Sequence, residues 1–131
     1  MERHLEHFRR VAADPDAYLR ARRERDGLRI VGYVCTYVQE ELLHAAGFLP
    51  ARIFGHSGKI AHADSHLSSF CCAFVRGCLE SALRTDLDYL EAVVFPRSCD
   101  MMRALQEVWA PAVGRPCYAV NTPLVLGAPG A

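Results

Sequence analysis

Two rhythms of apolar and polar positions run along the chain. Residues 3–25 are polar with helical spacing, interrupted near Asp14-Pro15; Asp14 is placed to cap a second helix with Pro15 at its first position, and Asp26-Gly27 ends it. Leu28–Val34 is an unbroken apolar run that predicts a buried strand, and Gln39–Ala46 predicts a helix stopped by Gly47. Leu49–Phe54 predicts a short strand. Residues 55–69, with their Gly, His, Ser and Asp, predict an extended loop. A helix over 73–84 follows, then a strand over Tyr89–Phe95. Asp100–Trp109 predicts a helix with Met, Leu and Val on one side, punctuated by Pro111 and Gly114, and Cys117–Val120 a last short strand.

Strands that alternate with helices predict an α/β fold: a mostly parallel, Rossmann-like (flavodoxin-like) sheet flanked by helices. We divide the chain into an N-terminal helical extension, residues 1–26, and an α/β domain, residues 27–131. Ligands of such sheets bind beyond the carboxyl ends of the strands. Cys35 and Cys99 each follow a predicted strand, and Cys72 opens a predicted helix, where the dipole and free N–H groups favour a thiolate. The tail Leu124–Ala131 reads as the start of a connection to something further.

Composition narrows the options. The 131 residues suit one domain, and a 51% hydrophobic content supplies a core. Fifteen basic and fifteen acidic residues cancel, so no global field recruits nucleic acid or an anionic membrane. No run reaches the ~20 apolar residues of a membrane span, and the charged opening Met1-Glu2-Arg3-His4 is unlike a signal peptide. A cytoplasmic location is expected. Six cysteines kept reduced there favour metal binding, redox chemistry or burial over disulfides.

Spacing alone does not select among these, and with no C-x-x-C run the preferred reading is small buried thiols. Cys117 lies inside a strand and Cys78 inside a helix, so both read as core. Cys71 and Cys72 are consecutive and point different ways, so one of the pair at most is a ligand. His62 and His66 have a zinc-like spacing of four on a segment that does not read as helical, and no base follows His62. His56-Ser57-Gly58-Lys59 lacks the full phosphate-loop pattern and reads as a solvated loop. Glu40 and Glu41 sit in the first turn of a helix, as capping or as functional carboxylates. Arg76 and Arg97, near Cys72 and Cys99, read equally as surface ion pairs or as partners of an acidic substrate or phosphate.

Four separated blocks, in order, change the weighing. They are Gly32-Tyr33-Val34-Cys35-Thr36-Tyr37-Val38-Gln39-Glu40-Glu41-Leu42, Ala45-Ala46-Gly47-Phe48-Leu49-Pro50-Ala51-Arg52, Cys72-Ala73-Phe74-Val75-Arg76-Gly77-Cys78 and Phe95-Pro96-Arg97-Ser98-Cys99-Asp100. From about Gly27 onward the chain resembles the D-component of the 2-hydroxyacyl-CoA dehydratases and the related subunits of benzoyl-CoA reductase. The resemblance implies a [4Fe–4S] cluster on three cysteines, of which Cys72 and Cys99 match two. It places the third protein ligand in a second α/β domain beyond residue 131. It also implies a paired homologous subunit, an ATP-dependent iron–sulfur activator protein and an acyl-CoA substrate that loses water by radical chemistry after one-electron activation. Cys35, Thr36 and Arg76 become candidates for substrate contact, with Cys35 lining the pocket rather than binding iron. Glu40 and Glu41 become catalytic candidates, and a dry pocket lined by Tyr33, Tyr37 and Phe74 would shelter the reaction. Gln39 and Ala73 stand where the family usually has proline. With one domain only, the isolated chain is expected to be inactive. Alternatives are a benzoyl-CoA reductase or double-cubane type of subunit, and a non-catalytic scaffold or electron-transfer protein.

Overall fold

A computed structural model describes residues 2–121. Their order is α1 (Glu2–Ala13), α2 (Pro15–Asp26), β1 (Ile30–Tyr33), α3 (Glu40–Ala45), β2 (Leu49–Arg52), a 3-10 turn (Ala63–Ser65), α4 (Ala73–Arg84), β3 (Leu90–Pro96), α5 (Asp100–Val113) and β4 (Cys117–Val120). The tail Leu124–Ala131 lies outside the described residues.

The four strands pair in parallel in the order β2-β1-β3-β4, the α/β arrangement expected from the alternation of elements. Connections leave β1 for β2 on one side and return past it to β3 on the other. The strand order therefore reverses between β1 and β3, the place at the carboxyl edge where sheets of this kind bind ligands. β3 carries one extra residue: Ile30 faces Leu90 but Val31 faces Ala92. The displaced Glu91 pairs with Arg29 at 2.9 Å.

One sheet face holds the core. Ile30 and Val34, Ala51 and Ile53, and Val93 and Phe95 meet Val75, Cys78, Leu79 and Ala82 of α4 and Met102, Leu105 and Trp109 of α5. The Phe95 and Trp109 rings meet edge to face at 5.1 Å, a geometry that adds to their area burial. Cys78 is wholly buried, as its place in the helix interior predicts, and Cys117 is half-buried against the core.

Two helix ends show how local sequence sets their limits. Asp14 caps α2 by accepting the Ala17 N–H at 2.9 Å, with Pro15 next, as read from the sequence. α5 runs past the predicted stop at Trp109 and ends at Gly114, whose φ is 72°. Pro111 is tolerated because the carbonyl it leaves without a helical partner is that of the exposed Glu107, near the helix end, where water can serve it. The N-terminal extension is held at the edge of the sheet. Tyr89 Oη donates to Asp16 at 2.5 Å, Arg20 reaches Asp88 and the Asp86 carbonyl, and Arg23 reaches the Asp88 carbonyl at 2.9 Å. α1 buries no residue. No described helix is long and apolar enough to cross a membrane.

Candidate functional site

The carboxyl edge collects the predicted residues because every β-to-α connection passes through it. Cys35 comes two residues after β1 and takes φ 71°, making it the sole non-glycine residue with positive φ among those described. Such a conformation costs an L-residue about 1–2 kcal/mol. It turns the chain sharply at the strand-order reversal.

Cys72 is the N-cap residue of α4 and Cys99 the N-cap residue of α5. Both are exposed, and neither makes a side-chain capping hydrogen bond. Cys71, next to Cys72, is buried, so the pair divides as consecutive residues should. Burial pushes the Cys78 thiol up to about 12, and nearby Cys72 and Cys35 push in the same direction. Among the described residues no three Cys, His, Asp or Glu side chains gather closely enough to hold a metal ion.

At the carboxyl ends of β1 and β2 lies a cleft of about 300 Å³ lined by Tyr33, Thr36, Glu40, Glu41 and Arg52, among others, with no cysteine in its lining. It unites four of the predicted residues, Tyr33, Thr36, Glu40 and Glu41. α3 starts at Glu40, and Tyr33 from β1 donates its hydroxyl to Glu40 Oε2. Burial, then this bond to a carboxylate, raises the Tyr33 phenol to about 12. Arg52 went unnoticed in the sequence. It stands at the carboxyl end of β2, its guanidinium 5.4 Å from the Phe54 ring centroid, and supplies the cleft's positive charge. A basic residue inside the otherwise apolar predicted strand Leu49–Phe54 was the available signal.

Arg76 resolves toward an ion pair, with Nη2 2.5 Å from Asp64 Oδ1. His62 and His66 flank the 3-10 turn rather than sharing a helical face. Tyr33 is buried, whereas Tyr37 and Phe74 are exposed, and Phe70 beside the cysteine pair is 94% exposed. The dry pocket expected from Tyr33, Tyr37 and Phe74 is not formed among the described residues: Tyr33 lines the cleft, while Tyr37 and Phe74 are exposed outside its lining.

A family model described as 2-hydroxyglutaryl-CoA dehydratase, D-component, matches residues 35–129. The chain is 34% identical over 106 residues to the beta subunit of lactoyl-CoA dehydratase from Anaerotignum propionicum, covering 80% of this chain and 28% of that protein. It is 33% identical over 104 residues to the beta subunit of (R)-2-hydroxyglutaryl-CoA dehydratase from Acidaminococcus fermentans, covering 79% and 27%. With a benzoyl-CoA reductase subunit from Thauera aromatica it shares 33% identity over 83 residues, covering 62% and 22%. The chain thus spans less than a third of the length of these relatives.

Proposed function

Because the chain belongs to the 2-hydroxyglutaryl-CoA dehydratase D-component family, we propose that it is the cluster-bearing N-terminal domain of a 2-hydroxyacyl-CoA dehydratase subunit. Cys72 and Cys99 serve as two thiolate ligands of a [4Fe–4S] cluster, and the third ligand comes from outside the described residues. The observation that carries this reading is the pair of exposed, uncapped thiols at the starts of two helices on one sheet edge. Helix N-termini favour anionic sulfur, and both sulfurs are free for iron.

When bound, the cluster supplies an open Lewis-acidic iron and one electron of low potential to a thioester carbonyl. The chain's own residues do the rest. Thr36 and Arg52 orient the polar end of an acyl-CoA in the cleft. Glu40, held by Tyr33, and Glu41 are the carboxylates available there for proton transfer, and Cys35 precedes the cleft residue Thr36 as a candidate for substrate contact. The exposed rim of Tyr37, Phe70 and Phe74 needs a cover that keeps water out, which fits a second domain and a paired homologous subunit. An ATP-dependent iron–sulfur activator supplies the electron, in the cytoplasm. Near-equal identity to a benzoyl-CoA reductase subunit supports ring reduction as a second reading of the same electron delivery.

Anaerobic reconstitution of the chain with iron and sulfide, alone and with a homologous subunit, tests the proposal. Cys72→Ala and Cys99→Ala should each lose most of the iron bound and the cubane signal in electron paramagnetic resonance. Unchanged iron uptake in both variants removes the cluster from these two residues.

A further inference from the structure

α4 presents one face to a single loop. Arg76, Gly77, Glu80 and Arg84 follow one another at helical spacing, and each fixes a different part of residues 55–67. The His56 N–H donates to the Gly77 carbonyl at 2.8 Å. Arg84 Nη2 reaches the Lys59 carbonyl at 3.3 Å. Glu80 Oε2 accepts three consecutive backbone N–H groups, from Ala61 at 3.1 Å, His62 at 2.8 Å and Ala63 at 2.9 Å. Its other oxygen accepts from Arg84 Nε at 2.6 Å. Arg76 holds Asp64 just beyond.

Glu80 is fully buried and is the sole buried charged residue among those described. An interior carboxylate is costly unless every oxygen is engaged, and here both are. The links make a closed ring: from Glu80 to the Ala61–Ala63 backbone, along the chain through buried Leu67 and Cys71, then through Cys72 and two turns of α4 back to Glu80. Cys72 sits where the chain turns from the gripped loop into the helix.

We propose that Glu80 is the positioning residue for Cys72: its carboxylate closes the loop onto α4 and so fixes where the exposed thiol at the helix start stands. The inference rests on the assignment of Cys72 as a ligand for its purpose, but not for its geometry. Burial opposes the charge, yet the Ala63 N–H, the Arg84 guanidinium and the other two N–H groups outweigh it and hold the carboxyl at about 2. The ring is therefore charged and closed at neutral pH.

The test is amide hydrogen exchange on the metal-free, reduced chain, comparing wild type with Glu80→Gln after each rate is referred to its own global stability. Opening the ring should speed exchange about tenfold at 61–63 and also at 76–78, the first hydrogen-bonded amides of α4. The corresponding amides of α5, 103–105, should stay within about twofold. Loss of protection confined to 61–63, or equal loss in both helix starts, overturns the proposal. Arg84→Gln, which leaves the carboxylate in place, should give the same pattern at about threefold and decides the matter if Glu80→Gln does not fold; no change at 76–78 in that variant overturns it. Iron reconstitution of Glu80→Gln then reads the consequence, with a broadened cubane resonance expected. A wild-type chain that binds no iron sinks the cluster reading and leaves the exchange result standing.

Discussion

The starts of α4 and α5 match in outline and differ in what holds them. Each begins at an exposed cysteine in the N-cap position on the same sheet edge. Cys99 follows β3 by three residues, and β3 pairs with a strand on each side. Its helix is locked down by Trp109 against Phe95. Cys72 follows a long connection after β2, an edge strand, and is placed by a loop fastened to its own helix through Gly77, Glu80 and Arg76. Both helices pack into the core, but only Cys72 is also preceded by a loop tied to its own helix by polar links and one close backbone approach. Two ligands of one cluster would then respond to different perturbations.

Trp109→Ala should produce the largest effect, about 3–5 kcal/mol lost in urea unfolding, as for other buried aromatic truncations. Trp109 is fully buried, and its Nε1 has no partner among the described residues, so no hydrogen bond offsets or adds to the cavity. The residual loosening should concentrate in α5 and reach Cys99 before Cys72. Equal loosening of both helix starts would erase the distinction between them.

Much of this architecture was legible. Apolar runs bounded by Gly and Pro marked all four strands, and α4 and β4 have the predicted limits. Cys99 follows a strand and starts a helix, and Cys72 opens a helix, as read from the sequence, and Thr36, Glu40 and Glu41 line one cleft. The α4 grip was not legible. Glu80 with Arg84 four residues on reads as a solvent-facing pair, and only the return of 61–63 across the helix buries it. Asp64 and Arg76 lie twelve residues apart with no local period to join them. Nothing in a sequence announces the left-handed turn at Cys35. These features depend on where a loop without periodicity folds back, which is decided by long-range packing.

Acid should act next most strongly, and on one helix start. The Glu80 carboxyl is lowered from 4.5 to about 2 on folding. A group whose folded value is depressed contributes stability that is fully present above its unfolded value and lost as pH falls through the folded one. The wild-type urea midpoint should therefore fall between about pH 4.5 and 2. Asp26, held at about 2 by Arg25 and Arg22, and Glu91, lowered by Arg29, add to the slope. Glu80→Gln keeps those two contributions and loses the rest, so its midpoint should fall less steeply. Parallel slopes in the two proteins would show that protonation of Glu80 does not open the ring.

Gly77→Ala probes the same helix without touching a charge. Alanine is worth about 1 kcal/mol more than glycine inside a helix, so an exposed helical site would be stabilised. Here the new Cβ would stand 2.9 Å from the His56 carbonyl oxygen, 3.2 Å from its nitrogen and 3.3 Å from Gly55 Cα. All three are backbone atoms, and no rotamer change relieves them. Overpacking of this kind costs about 1–3 kcal/mol, which outweighs the helical gain and leaves a net loss of about 1 kcal/mol. The loop must lift from α4 at His56, and its 2.8 Å bond to the Gly77 carbonyl lengthens or breaks. The expected result is a small fall in the urea midpoint with faster exchange at the His56 amide and at 76–78, and no change at 103–105. A rise in the midpoint would mean that the loop sits loosely on the helix, and that Cys72, like Cys99, owes its place to the sheet and core.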